Sequence, residues 1–541
     1  MTVTIRAEST TGVIDKEKSN DWAKIKSTRH GLSSEWQQFY KPADTCPQGR
    51  WEGELERLVV YGTIPKEIDG TFYRIIIDPF MPPHPENGFV EGDGNACAIR
   101  ISDGVVSMKV RYVDTERHLL ERQAGRRLFG IYRNPYTNDP STRYANDSTG
   151  NTNIIYWAGN ILALAERGLP WAIDPDTLET RGYDPYAGQL RALTFTAHPK
   201  IDTIRNELVT WGYEAKGLGT TDVVTYSVTS DGRVKDVNWF NLPEVRMIHD
   251  GWITENWLIL SAMPVFYTGD EELKSGKQHW VYSQDEPQIM VVCPRKPDTP
   301  GHPGWKPGEF RQYPFENGLI IHCGSAWEED GKLHLESPWT QFNAFYFWNP
   351  PDMKPLEPTG KYVRWTIDLD KPTGSRIDNV QELSPWKVEF PVVDDRFNTQ
   401  KQQITYLVGE NILFGGPPTG YFVNSLIKLD QKTGKALIWD AGEGGEVSEP
   451  AFIPRSPDAP EGDGWLLCVT TRKDAPRGEM IILDTNDFTQ PVAVVQMPFV
   501  MCNQLHGNWV PNPNPGTKLP NLARRLPHVL ATGRGPLNRI P

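Results

Sequence analysis

The sequence predicts an all-β protein made by radial repetition of small antiparallel sheets, and three observations carry that prediction. Short β-rich runs recur with tight turns between them, as in EIDGTFYRI, RISDGVVSMKVRYV, WAGNILALAE, TSDGRVKDVNWF, EEDGKLHLES and LDQKTGKALIWD. Glycine (47) and proline (46) are spread through the chain, and few segments keep a helical period for more than a few turns. The pattern also persists over most of the 541 residues, which is more strand than one sandwich absorbs. Closing the sheets around an axis leaves few exposed edges.

Taken in order, residues 1–50 are polar and form an N-terminal arm in which DWAKIKSTRHGLSSEWQQFY reads as a short amphipathic helix. Residues 51–511 carry the repeating pattern and fit a propeller of seven four-stranded blades, at roughly 70 residues per blade with loops. The stretches 112–150 and 267–312 read as insertions that cap one face. The tail, 512–541, is rich in Pro and Arg and reads as a surface-wrapping or mobile segment.

Lys and Arg total 56 against 69 Asp and Glu, a net charge of −13 that repels phosphate backbones and argues against nucleic-acid partners. The start, MTVTIRAEST, lacks a basic segment followed by an apolar one, and no run approaches the roughly 18 apolar residues of a membrane span. A cytoplasmic protein without stable membrane insertion is expected. The six cysteines (Cys46, Cys97, Cys293, Cys323, Cys468, Cys502) form no CxxC pair, so neither a zinc knuckle nor a disulfide framework is expected.

Eleven histidines are present, and four share a setting: His198 in TFTAHPKID, His249 in VRMIHDGWITENW, His322 in GLIIHCGSAWEEDG and His506 in NQLHGNWVP. Each ends an apolar or aromatic run beside a turn former, where a propeller's inner strand meets the axis. Imidazoles delivered from separate blades can converge there on a first-row divalent metal. No HExxH, HxD or HxE pair surrounds them, which sets aside a zinc protease and a two-histidine, one-carboxylate site. Three glutamates interrupt apolar runs: Glu166 in LALAERGLP, Glu389 in WKVEFPVVD and Glu449 in VSEPAFIPR. A carboxylate that accepts the outer N–H of a metal-bound imidazole fixes the ring and raises its basicity.

With these residues in place, the chain resembles the carotenoid cleavage oxygenases, and within them the branch that cleaves stilbenes and phenylpropanoids. The resemblance runs from about residue 50 to about 511 through NTNIIYWAGNILALAERGLP, TAHPKID, MIHDGWITE, IHCGSAWEEDG, EFPVVD, SEPAFIPR and HGNWVP, with FVEGDGNACAIRI as a further early turn. It implies a seven-bladed β-propeller with a loop and helix cap over a metal-bearing axial face. It also implies non-haem Fe(II) held by His198, His249, His322 and His506, with Glu166, Glu389 and Glu449 orienting His249, His322 and His506 respectively. Thr152 matches a threonine whose methyl crowds one open position at the metal, and Tyr132 in FGIYRNPYTNDP matches a tyrosine aimed at a substrate's para-hydroxyl.

The implied partners are dioxygen and a small aromatic alkene. The implied reaction adds both oxygen atoms across one C=C bond of a 4-hydroxyphenyl alkene, of the isoeugenol, 4-vinylguaiacol or hydroxystilbene type, and yields aromatic aldehydes such as vanillin. The alternative is an apocarotenoid or carotenoid. Stilbene-cleaving relatives commonly carry a lysine immediately before the glutamate that Glu166 matches, and here that residue is Ala165. Ser325-Ala326 likewise stands where relatives often show Asn-Ala after the histidine. Phe89, Tyr136 and Trp171 are expected to line a pocket left roomy by the small Ala165.

Overall fold

A computed structural model of the chain describes residues 50–512, apart from 89, 187, 190, 342, 344, 351–352, 354–359, 410–422, 443–444, 473–477 and 502–503. The expected N-terminal helix, nearly all of the arm, the tail beyond 512, and Phe89, Cys46 and Cys502 therefore lie outside the described residues.

Seven antiparallel sheets of four to six strands follow one another around a ring, a seven-bladed β-propeller. Turn chemistry makes the hairpins. Asp103-Gly104, Ala158-Gly159 and Asp330-Gly331 all adopt positive φ, the backbone a two-residue hairpin requires and one that Gly reaches without strain. These turns join Gly94–Ser102 to Val105–Tyr112, Asn153–Trp157 to Asn160–Leu164, and Ala326–Glu329 to Lys332–Thr340. Strands such as Gly70–Ile77 and Asn160–Leu164 are buried along their whole length because neighbouring blades cover both faces. Between the blades lie aromatic and aliphatic clusters, for example Trp252, Trp257, Trp305 and Trp365 with Ile259 and Leu335.

The last strand, Gln504–Pro511, pairs with the early strand Gly70–Ile77, while Val60–Gly62 pairs with Pro491–Gln496, so the two ends of the ring are stitched twice. Arg74, fully buried, reinforces the seam by donating to Gln504 Oε1 at 2.9 Å and to the Glu449 carbonyl at 2.9 Å. The stretch 112–150 carries the helix Glu116–Ala124, capped by Thr115, and two short 3-10 turns, in keeping with an insertion. The stretch 267–312 departs from that expectation. It contains Ile289–Pro294, which pairs along Trp257–Tyr267 as a regular blade strand, because IMVVCP is apolar enough to be covered on both faces. Among the described residues no helix is long and apolar enough to cross a membrane.

Candidate metal centre

Each sheet supplies one residue of the centre. His249 and His506 lie within the strands Arg246–Ile253 and Gln504–Pro511, while His198 and His322 sit on the loops leading into Lys200–Asp202 and Ala326–Glu329. Glu389 lies in Val388–Val392; Glu166 follows Asn160–Leu164, and Glu449 falls between Gly445–Val447 and Ala451–Pro454. The ligand nitrogens of His198, His322 and His506 all lie within 4.8 Å of one another. His249 Nε2 is 3.0 Å from His198 Nε2, so the fourth ring faces the same point.

The outward nitrogens are held by carboxylates. His322 Nδ1 lies 2.6 Å from Glu389 Oε2, His506 Nδ1 lies 3.1 Å from Glu449 Oε1, and His249 Nδ1 bonds Glu166 Oε1. Among the described residues His322 Nε2 is buried without a hydrogen-bond partner, which is expensive for a polar atom unless something else occupies its lone pair. Burial, and then the other three rings, hold His198 well below the usual histidine range, and burial also lowers His506 against the pull of Glu449. Burial lowers His322 too, but Glu389 outweighs it and raises the ring. Glu449 lies below the usual carboxylate range because His506 and Arg74 overcome the effect of burial. The donor set, imidazole nitrogens with outward carboxylate partners in a buried site, suits a borderline divalent metal such as iron, copper, nickel or zinc.

Several residues that local sequence does not flag complete the site. Asp250 takes Lys200 Nζ at 2.7 Å and the Cys323 N–H at 2.7 Å, which ties together the neighbours of His198, His249 and His322. Phe390, with a positive φ, stacks on His322 at 4.7 Å. Behind Glu166, Tyr213 donates to Oε2, and Arg133 reaches the Tyr213 oxygen at 3.2 Å. The weak signals available were the HPK, HDG and HCG triplets, which place polar atoms beside each histidine.

Of the other expected site residues, Thr152 immediately precedes the strand Asn153–Trp157, its N–H bonded to the Leu164 carbonyl and its hydroxyl donating to Asn151 Oδ1 at 3.2 Å. Tyr132 joins the cluster through Arg133, whose Nε donates to its oxygen at 3.2 Å. Ala165 is buried. Trp171 packs with Tyr183 and Ile154 in the inter-blade core and is 2 % exposed, since the strand Trp171–Ile173 runs between covered faces. Tyr136 lies in the middle of the short 3-10 turn Pro135–Thr137 and is half-buried.

The family described as "RPE65: Retinal pigment epithelial membrane protein" matches residues 47–511. Resveratrol cleavage oxygenase 1 of Botryotinia fuckeliana (strain B05.10) is 44 % identical over 94 % of this chain and 92 % of its own length. Isoeugenol monooxygenase of Pseudomonas nitroreducens is 36 % identical over 86 % of this chain and 96 % of its own. The crystal structure of Pseudomonas brassicacearum lignostilbene dioxygenase superposes with a TM-score of 0.80 at 35 % identity, covering 86 % of this chain and 96 % of that one. With the propeller, the histidine cluster and these relatives together, the chain belongs to the RPE65 or carotenoid cleavage oxygenase family, on its stilbene- and phenylpropanoid-cleaving side.

Proposed function

We propose that this protein is an iron-dependent oxygenase that cleaves the C=C bond of 4-hydroxyphenyl alkenes with dioxygen. The carrying observation is the set of four converging imidazoles, three of them backed by a carboxylate on the outer nitrogen. His198, His249, His322 and His506 would hold Fe(II), and Glu166, Glu389 and Glu449 would keep their partner rings in the ligating tautomer. Bound iron supplies activation of dioxygen. The chain's own residues do the rest: they hold the alkene beside the site, narrow it with the Thr152 methyl, contact the ring oxygen through Tyr132 and exclude bulk water.

The stoichiometry closes without a reductant: an alkene R–CH=CH–R′ and one dioxygen give R–CHO and R′–CHO. Isoeugenol, 4-vinylguaiacol, resveratrol and an apocarotenal, offered side by side to iron-loaded protein under labelled dioxygen, test the reading. The expected result is about one iron per chain, cleavage of the aromatic alkenes ahead of the apocarotenal, and label in both carbonyl products. Label in one product only, or full activity in iron-free protein, overturns it.

A further inference from the structure

Of the four clustered rings, His198 alone has no carboxylate on it among the described residues, so its orientation has to come from its backbone. Its N–H donates to Thr196 Oγ1 at 2.9 Å, and two residues on, Lys200 Nζ meets Asp250 Oδ1 at 2.7 Å. Asp250 directly follows His249 and is buried. Its Oδ1 also accepts the Gly251 N–H at 2.7 Å, and its Oδ2 accepts the N–H of Cys323, the residue after His322, at 2.7 Å. One carboxylate therefore bonds the segments beside three of the histidines, which belong to three successive blades.

A local irregularity of the strand makes this reach possible. In a regular strand adjacent side chains point to opposite faces. Along Arg246–Ile253 the pairing with Trp257–Tyr267 passes from Ile248 opposite Ala262 to Gly251 opposite Leu260, so His249-Asp250 takes up one extra residue, a β-bulge. A bulge re-aims the side chains it carries, and here the ring turns to the other imidazoles while the carboxylate turns to the two neighbouring blades. Moving that carboxylate would leave a buried charge or a buried donor unpaired, so the three segments are held at fixed spacing. For His249 and His322 this hold adds to the one that Glu166 and Glu389 already exert on the rings, whereas for His198 no carboxylate on the ring duplicates it.

We infer that Asp250, through its pair with Lys200, is a positioning residue that stands in for the carboxylate His198 lacks: it keeps the His198 segment in register with those of His249 and His322, so that the fourth ring is in place before a metal arrives. The inference rests on the proposed metal-dependent reading but concerns how the centre is assembled, and metal binding is measured apart from alkene cleavage. Asp250→Asn keeps the shape but leaves one acceptor oxygen, which cannot serve both Lys200 and the Cys323 N–H.

Co(II), a borderline divalent ion with a visible spectrum, is titrated into metal-free full-length protein against a competing chelator. In Asp250→Asn the affinity falls about 10- to 100-fold, as for loss of a residue that orients a metal-bound imidazole, and the Co(II) absorption moves toward that of His198→Ala. In the His198→Ala background the same substitution costs less than about threefold, because the ring through which it acts is gone, whereas in the Glu389→Gln background the full loss returns. Lys200→Met breaks the pair from its other end and repeats both signatures, which keeps the comparison available should Asp250→Asn not fold. Equal losses with and without His198, or affinity and absorption unchanged in the single variants, overturn the inference. The stated pattern in a protein that cleaves no alkene leaves the inference standing and removes the proposed reaction.

Discussion

A carboxylate on the outer nitrogen of an imidazole decides which nitrogen faces inward, and three of the four clustered rings have one. Glu389 bonds His322 Nδ1 and also accepts the Phe390 N–H at 2.6 Å, so its geometry is set locally. Replacing it with Gln keeps the shape and removes the charge that raises His322. Metal affinity of Glu389→Gln should fall about 10- to 100-fold, read by competition with a chelator, and an unchanged affinity would mean that this carboxylate only fills space. Residues of this kind were legible in the sequence because a charged side chain inside an apolar run, next to proline, is conspicuous. Arg133, Tyr213 and Asp250 were not, since a Tyr or Arg beside a turn has many ordinary uses and its partners lie far along the chain.

On the proposed reading, the turn that carries Tyr132 belongs to the substrate side. The turn Leu128–Thr137 is pinned by Asn87, which takes the Tyr132 N–H at 2.9 Å and donates to the Gly130 carbonyl at 3.0 Å. A Cβ on Gly130 would run into the Thr137 side chain and carbonyl, so the backbone must shift. Gly130→Ala should therefore raise KM for aromatic alkenes while iron content stays at the wild-type level; loss of iron as well would show that the turn also supports the metal centre. The helix Glu116–Ala124 is tied to the Glu166 turn by one buried carboxylate, Glu91, which pairs with Arg117 and lies 3.1 Å from Arg167. Burial pushes Glu91 up, but the two guanidiniums outweigh it and the group sits below its usual 4.5. A carboxyl depressed on folding stabilises fully above 4.5 and loses that contribution as pH falls through the folded value. The melting-temperature advantage of wild type over Glu91→Gln should shrink as pH drops below about 4.5. A constant gap across that range would contradict a charged Glu91.

Across the whole molecule, the seven histidines and glutamates come one from each sheet, and His506 rides on the strand that closes the ring against Gly70–Ile77. Metal held by four such rings would tie the ring-closing strand to three other blades of the propeller, so removal should lower the melting temperature by an amount that grows with metal concentration in the loaded sample. Equal melting of stripped and loaded protein would place the ion outside this cluster.

By itself the sequence determined the class of fold and the hairpins built on Asp-Gly, and it pointed to four histidines at the ends of apolar runs and three glutamates interrupting such runs, because strand period, turn chemistry and a misplaced charge are all local signals. Only the tertiary structure decided that Ile289–Pro294 is a blade strand rather than cap, that Trp171 is core, and that one guanidinium orients two tyrosines. Those outcomes depend on which surfaces the closed ring brings face to face. The chain separations involved, 80 residues between Arg133 and Tyr213 and 83 between Glu166 and His249, leave no periodicity for a local reading to detect.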